Sequence, residues 1–338
     1  MRKKIIWIML LVALILGVIS YIVYNMFYGS AVEHSYTVVL AKGESYSVMI
    51  DKVKANMNYH TAFDLYADRI NLDKTIKPGT YTIEKGMTVI DIARMLKIGS
   101  DSSVRLTINN ARTPEALAGK MAKQIDADSV AMLAALRDPM LIEELGYDSA
   151  EAMFSIFIPD SYDVYPNIEP KELIRKMKLE SDKFWNVGWR QEALNRLNMT
   201  PLEVMTLASI VHEETAAVDE MTRVAGVYIN RLRDGWLLQA DPTLKYALGD
   251  FSIKRVLNKH KEVESPYNTY KYAGLPPTPI AMPDMAAIEA VLNFEEHNYY
   301  YFCARPEMDG RHNFARTLKE HNRNADAYHR ELNRLKIR

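Results

Sequence analysis

The chain has 338 residues, 48% of them hydrophobic and 25% charged, which is enough apolar material for a substantial core and two domains behind a leader segment. Its net charge of −1 leaves no basic excess to neutralise phosphates, which excludes a general nucleic-acid binder. The single cysteine, Cys303, excludes an intramolecular disulfide.

At the N-terminus, Arg2, Lys3 and Lys4 precede an uncharged stretch, residues 5–28, that reads IIWIMLLVALILGVISYIVYNMFY. About 20 apolar residues in a helix span the hydrocarbon layer, so a membrane anchor is expected here. A cleaved signal peptide would be shorter and would end in a small-x-small site. Tyr21, Tyr24, Phe27 and Tyr28 stand there instead, like an interfacial aromatic belt. The basic cluster keeps the N-terminus in the cytoplasm and sends the remainder outside. Residues 29–36 read as a linker, and no further transmembrane segment is expected.

Strand, polar turn and amphipathic helix then follow one another in three stretches, beginning at Tyr36, Gly79 and Val104. Each has a period-2 strand and a Ser or Thr at the helix N-cap. Gly43 and Gly86 supply the turn's backbone freedom in the first two. Asn109 and Asn110 stand there in the third, with Pro114 opening the helix after Thr113. The first two, with a helix around 60–70 between them, make a small α+β domain over 37–100. Residues 97–104 read as a linker, and 101–338 as a larger mixed α/β domain, so the fold class is α+β. Helices are expected near 114–125, 129–137, 170–185, 201–218, 219–233, 283–293 and 317–335, and short strands near 235–240 and 299–304. The proline-rich region 265–283 has no helical period and reads as a functional loop.

Two adjacent glutamates close the apolar run TLASIVHEETA, residues 206–216. In a helix from Pro201, Leu207, Val211, Glu214 and Val218 share one stripe, whereas Glu213 falls with Thr206, Ser209 and Ala217 on a more polar edge. Among aliphatic neighbours a carboxyl is desolvated and its pKa rises, which is what a general acid for glycosidic cleavage needs. Pairing of Glu214 with a basic partner is the structural alternative. A zinc site fails on spacing, since Ala216 stands where a second histidine would follow His212, and the next histidine is His260. No Gly-x-Ser-x-Gly occurs, and Cys303 sits in the aromatic run YYYFCA, where a buried thiol is inert.

The run LASIVHEETAAVDEMTRVAGVYINRLRDGWLLQADPTLKYALG, residues 207–249, resembles the catalytic heart of the MltG (YceG-like) endolytic murein transglycosylases. SPYNTYKYAGLPPTPIAMP from Ser265, YYFCA, HNFARTLKEHN from His312 and, upstream, FIPDSYDVYP agree in order. The anchor and a LysM-like reading of 37–100 match that architecture. The family's Glu-x-Glu-Thr motif places its catalytic glutamate at Glu214, while His212 replaces the motif's first glutamate. INNART, residues 108–113, departs from a Pro-Glu-Gly turn.

The resemblance implies cleavage of the β-1,4 bond between N-acetylmuramic acid and N-acetylglucosamine in nascent strands, leaving 1,6-anhydro-muramic ends. The substrate's C6 hydroxyl attacks, so one carboxylate suffices, without metal or cofactor. It implies supporting roles for Gln239, Asp241 and Thr243 of LQADPT, for Tyr267, Asn268 and Tyr270 of SPYNTY, and for His312, Asn313, His321 and Asn322. Asp241 is alternatively a helix cap before Pro242, the SPYNTY residues an ordered Asx turn, and the histidines caps of the last helix. It implies, too, a single-pass protein of the bacterial inner membrane with a periplasmic catalytic domain, acting beside peptidoglycan synthases and penicillin-binding proteins. Two rivals remain at this stage: a muramidase that uses water with Asp241 as second carboxylate, and a non-catalytic peptidoglycan-binding scaffold.

Overall fold

The computed structural model describes residues 2–99, 104–166, 168–253 and 255–335, without the side chains of residues 2–11 and 13. By internal contacts the chain divides into two units. One comprises Met1–Leu106, Gln124–Ala127 and Asp163–Glu169, and the other Thr107–Lys123, Asp128–Tyr162 and Pro170–Arg338.

In the first unit, α1 (Arg2–Tyr28) is followed by β1 (Tyr36–Leu40), α2 (Tyr46–Lys54), α3 (His60–Arg69), α4 (Leu72–Thr75), β2 (Gly79–Ile83) and α5 (Val89–Ile98). Among the described residues no helix is long and apolar enough to cross a membrane. Of the stretch expected as an anchor, the side chains of residues 5–11 and 13 lie outside the described ones. β1 and β2 pair antiparallel, with Tyr36 opposite Ile83 and Leu40 opposite Gly79. Alternation puts Val38, Leu40, Tyr81 and Ile83 inward, where Phe63 of α3 and Ile92 and Leu96 of α5 cover them. The turns are made as the sequence predicts, with Gly43 and Gly86 at φ 90° and 96°. Thr88 closes a capping box with Asp91, while Ser45 occupies its N-cap position without a side-chain capping bond.

β3 (Val104–Ile108) leads into the second unit and pairs with β4 (Asp160–Val164), which was not foreseen. Asn110 takes the left-handed turn position at φ 40°, and Lys120 ties Asn109 and Asn110 through their carbonyls. Then come α6 (Pro114–Ala122), α7 (Ser129–Leu136), α8 (Pro139–Glu144), α9 (Ala150–Met153), α10 (Pro170–Trp185) and α11 (Gly188–Leu197). The centre of the unit is α12 (Pro201–Glu214), packed on α13 (Val218–Arg233) and α15 (Met285–Leu292); α14 (Asp241–Leu248) lies between the last two in sequence. β5 (Tyr301–Ala304) and β6 (His312–Ala315) form an antiparallel hairpin, and α16 (Leu318–Arg334) packs on it.

Two expectations need correction. Residues 235–240 form no strand: the backbone N–H of Gln239 bonds to the Thr269 carbonyl (3.0 Å) and that of Ala240 to the Thr269 hydroxyl (3.0 Å), so a loop rather than a ladder satisfies them. The helix expected over 201–218 stops at Glu214. Thr215 is buried and extended (φ −144°, ψ 137°), and its hydroxyl accepts the N–H of Ala217, turning the chain into α13.

Candidate active site

α12 is buried all round from Val204 to Val211, Thr206 and Ser209 included. The polar edge expected for Glu213 therefore does not exist, and Val218, past the helix end, is 60% exposed. Position at the helix end separates the two glutamates instead. Glu213 takes a bidentate ion pair from Arg112 (2.8 and 2.9 Å), a residue of the INNART turn. Glu214 has no ion-pair partner among the described residues. Its Oε1 accepts a 2.6 Å hydrogen bond from the Tyr228 hydroxyl, and its Oε2 has no hydrogen-bond partner among them.

Burial pushes the Glu214 carboxyl up to about 7. The Tyr228 bond pulls the other way, Asp241 adds to the rise, and Lys245 and Arg231 oppose it. The Tyr228 phenol is itself held well above its ordinary value, by burial first and Glu214 second, so it stays a donor. Tyr228 comes from α13, one helix turn before Arg231. Arg231 is buried; its Nε donates to the Tyr300 carbonyl (2.8 Å) and its Nη1 to that of Leu238 (2.5 Å).

These groups line a cleft of about 340 Å³ together with Gln239, Asp241, Tyr270, Tyr301, Phe302, Leu318 and His321. Tyr270 donates to Asp241 at 2.5 Å, an arrangement that raises the Tyr270 phenol, through burial first and that bond second. Asp241 is not the cap of α14; Ala240 holds that position and Asp241 is the first helical residue. Gln239 adopts φ 50°, a conformation seldom found outside glycine and worth about 1–3 kcal/mol of strain, a feature that clusters at functional sites. The His321 ring stacks on Tyr301 with centroids 5.4 Å apart. Burial, then Arg231, lowers its pKa, and its buried Nδ1 has no hydrogen-bond partner among the described residues. One wall of the cleft is thus aromatic and its floor carries a protonatable carboxyl, a combination suited to sugar rings and proton transfer.

Of the residues singled out in the sequence, the cleft brings together Glu214, Gln239, Asp241 and Tyr270, with His321. Thr243, Tyr267, Asn268, His312, Asn313 and Asn322 are not in its lining. Asn268 is fully buried; its Nδ2 bonds to the carbonyls of Lys261 and Val263, and its Oδ1 accepts the N–H of Tyr270. That is the Asx turn weighed above, and it aims Tyr270 at Asp241. The Thr243 hydroxyl donates to the Ala240 carbonyl (2.8 Å) and lies 2.8 Å from the Thr269 hydroxyl, and the Tyr267 hydroxyl bonds to that of Thr278 (2.6 Å). His312 bonds through backbone and ring to buried Glu220, and Thr317 rather than either histidine caps α16. Tyr228 and Arg231 went unread in the sequence; their only trace is a tyrosine and an arginine three positions apart on the buried, mostly apolar face of α13.

Among the described residues no group of three His, Cys, Asp or Glu side chains is placed to hold a metal ion. His212 stands 3.3 Å from Asp284, and burial raises the Cys303 thiol.

Known proteins resemble the chain over most of its length. An endolytic murein transglycosylase of Bacillus subtilis is 28% identical over 306 residues, covering 86% of this chain and 83% of that one. One of Streptococcus pneumoniae is 28% identical over 293 residues, covering 78% of this chain and 52% of that one, so this chain spans about half its length. The crystal structure of a yceG-like protein from Listeria monocytogenes superposes with a TM-score of 0.55 at 25% identity, covering 86% of this chain and 99% of that one. The profile of the YceG-like family matches residues 38–327, which covers most of each unit and every cleft residue, and the chain belongs to that family.

Proposed function

We propose that the chain is a membrane-anchored endolytic lytic transglycosylase of peptidoglycan. It cuts the β-1,4 bond between N-acetylmuramic acid and N-acetylglucosamine within nascent strands, leaves 1,6-anhydro-muramic ends, and so terminates strand elongation. Family membership and the names of the relatives support the reaction class. One observation carries the mechanism: Glu214 keeps its proton up to about pH 7 on the floor of an open cleft, with one oxygen tied to Tyr228.

With Oε1 occupied by Tyr228, the proton sits on Oε2. Glu214 donates it to the glycosidic oxygen as the bond from the muramic C1 breaks, and positive charge develops on the sugar ring. The resulting carboxylate then takes the proton of the muramic C6 hydroxyl while that oxygen bonds to C1. Glu214 ends as it began, and no water is consumed. Asp241, oriented by Tyr270, supplies negative charge in the same cleft while the ring is cationic. Gln239, Arg231 and His321 offer polar groups to the sugar's N-acetyl and hydroxyl substituents.

Residues 5–28 anchor the chain in the bacterial inner membrane, with the N-terminus in the cytoplasm and the catalytic unit periplasmic; the uncharged stretch and its basic flank support this. The LysM-like unit of 37–100 helps hold the strand. Peptidoglycan synthases that extend the strand are the partners this placement brings within reach.

Mass spectrometry of products from uncrosslinked glycan strands tests the reaction. Internal fragments ending in anhydro-muramic acid are expected; hydrated ends would overturn the reading in favour of a muramidase with Asp241 as second carboxylate. Bound but uncut strands would leave the scaffold. Tyr228→Phe provides a second check. It removes the hydrogen bond that lowers the Glu214 pKa, so the alkaline limb of kcat/KM is expected to move up by about one pH unit. An unmoved limb in a pH–rate profile would mean that Glu214 does not set it.

A further inference from the structure

A second pocket, of about 490 Å³, lies in the first unit beside the end of α1, and nothing in the proposed reaction uses it. Arg69 and Arg94 line it with Tyr28, Tyr66, Thr88 and Asp91. Neither arginine has a carboxylate within ion-pair distance among the described residues. Arg94 is oriented by a 3.0 Å bond from its Nε to the Tyr66 hydroxyl and stands over that ring at 6.0 Å, which leaves its outer nitrogens uncommitted. Asp91 does not cancel the charge by contact. Its Oδ2 is engaged in the capping box of α5, taking the Thr88 N–H (3.2 Å) and hydroxyl (2.7 Å). Lys97, reaching the Ile70 carbonyl at 3.0 Å, adds a third positive charge at the edge. Two guanidinium groups beside a phenol are the donors that suit phosphate oxygens.

The pocket's level relative to α1 is fixed, because Met26 and Phe27 in the last turn pack on the core of the unit. Tyr28 lines the pocket itself and stacks on Tyr24 with centroids 5.0 Å apart, both rings largely exposed. If residues 5–28 span the bilayer, these tyrosines lie at the outer interface, where lipid phosphates are.

We infer that Arg69 and Arg94 bind the phosphate of an anionic lipid headgroup at the outer surface of the membrane that α1 enters. The inference rests on the anchor reading of residues 5–28. A bound headgroup would hold the first unit against the bilayer and limit how freely the chain swings about the end of α1.

Full-length protein in neutral detergent, incubated with equimolar phosphatidylglycerol and phosphatidylcholine, is to be analysed by native mass spectrometry. Preferential retention of phosphatidylglycerol is expected, reduced about tenfold in the Arg69→Ala/Arg94→Ala variant. The Arg69→Lys/Arg94→Lys variant keeps the charge and should retain part of the preference, which separates loss of charge from loss of folding. Equal retention of phosphatidylglycerol by the parent and the alanine variant overturns the inference. So does full displacement of the lipid by equimolar inorganic phosphate, which would make this a free-anion site. Carbonate extraction of membranes distinguishes the two readings. Protein that stays in the membrane without headgroup preference leaves the anchor standing and ends the inference, whereas protein released by carbonate ends both.

Discussion

Glu214→Gln is expected to reduce strand cleavage at least about 10³-fold, in the range that general acid catalysis contributes, and to make the protein more stable at pH 8. Both effects come from one proton. Unfolded, the glutamate ionises near its ordinary 4.5; folded, it holds its proton to about 7. Between those values the native state binds more protons than the unfolded chain, so stability falls as pH rises through the window and is constant above it. The gap corresponds to about 3 kcal/mol at its upper limit. Glutamine cannot ionise, yet its Oε1 can still accept the Tyr228 bond. Thermal unfolding curves of parent and variant should therefore coincide at pH 4 and separate at pH 8, the variant melting several degrees higher. Coincident curves at both values would mean that the folded carboxyl is not raised, and the acid role would lose its basis.

Gly226→Ala should cost about 3 kcal/mol, although helix propensity alone would favour alanine by about 1 kcal/mol. An added Cβ would lie 2.4 Å from the Glu295 carbonyl oxygen and 2.6 Å from His297 Nε2. Neither neighbour is free to move. Glu295 donates its N–H to the Thr222 carbonyl (3.0 Å), and the His297 ring is held by the Arg223 carbonyl (2.9 Å) and by Asn230. Gly226 sits on α13 two residues before Tyr228, so a shift that relieves the clash also displaces the Glu214 partner. Loss of stability in denaturant melts should accompany a fall in kcat. Gly119→Ala in α6 is the control: nothing stands within 4 Å of its added Cβ, and the same substitution should be neutral or stabilising there. A stable, fully active Gly226→Ala would show that the segment from Phe294 to His297 does not lie this close to α13.

How much of this was legible in the sequence varied with the kind of interaction. β1, β2 and α5 could be read because alternation, turn glycines and Thr88 are local signals, and α10 (Pro170–Trp185) could be read end to end because one of its faces meets solvent. α12 offered no such contrast. From Val204 to Val211 it is buried on every side, so the stripe through Leu207 and Val211 carried no information about what Glu214 faces. The motif resemblance did pick that position. The break at Thr215 is made by tertiary burial, without the glycine or proline that would announce it. LQADPT and SPYNTY were found, but spacing could not say which members face the cleft. Gln239, Asp241 and Tyr270 do, whereas Thr243, Tyr267 and Asn268 turn inward to build the loop. Tyr228 escaped because its value to Glu214 arises only when α13 folds back past the end of α12.

The sharp turn at Thr215 also sorts two glutamates by helix polarity. Glu214 is the last residue of α12, where unpaired carbonyls concentrate partial negative charge, and Glu220 lies in the first turn of α13, where free N–H groups concentrate positive charge. The surroundings follow the same division. Glu214 is left with a phenol, while Glu220 gathers the His312 backbone and ring, with Arg305 at 3.9 Å. A break of three residues therefore sets a helix C-terminus, whose dipole acts in the same direction as the burial that keeps Glu214 protonated, beside a helix N-terminus of opposite polarity. The backbone part of that contrast does not depend on the cleft's side chains, so replacing them would reshape the sugar subsites without erasing it. Extending α12 through Thr215 to Ala217 would.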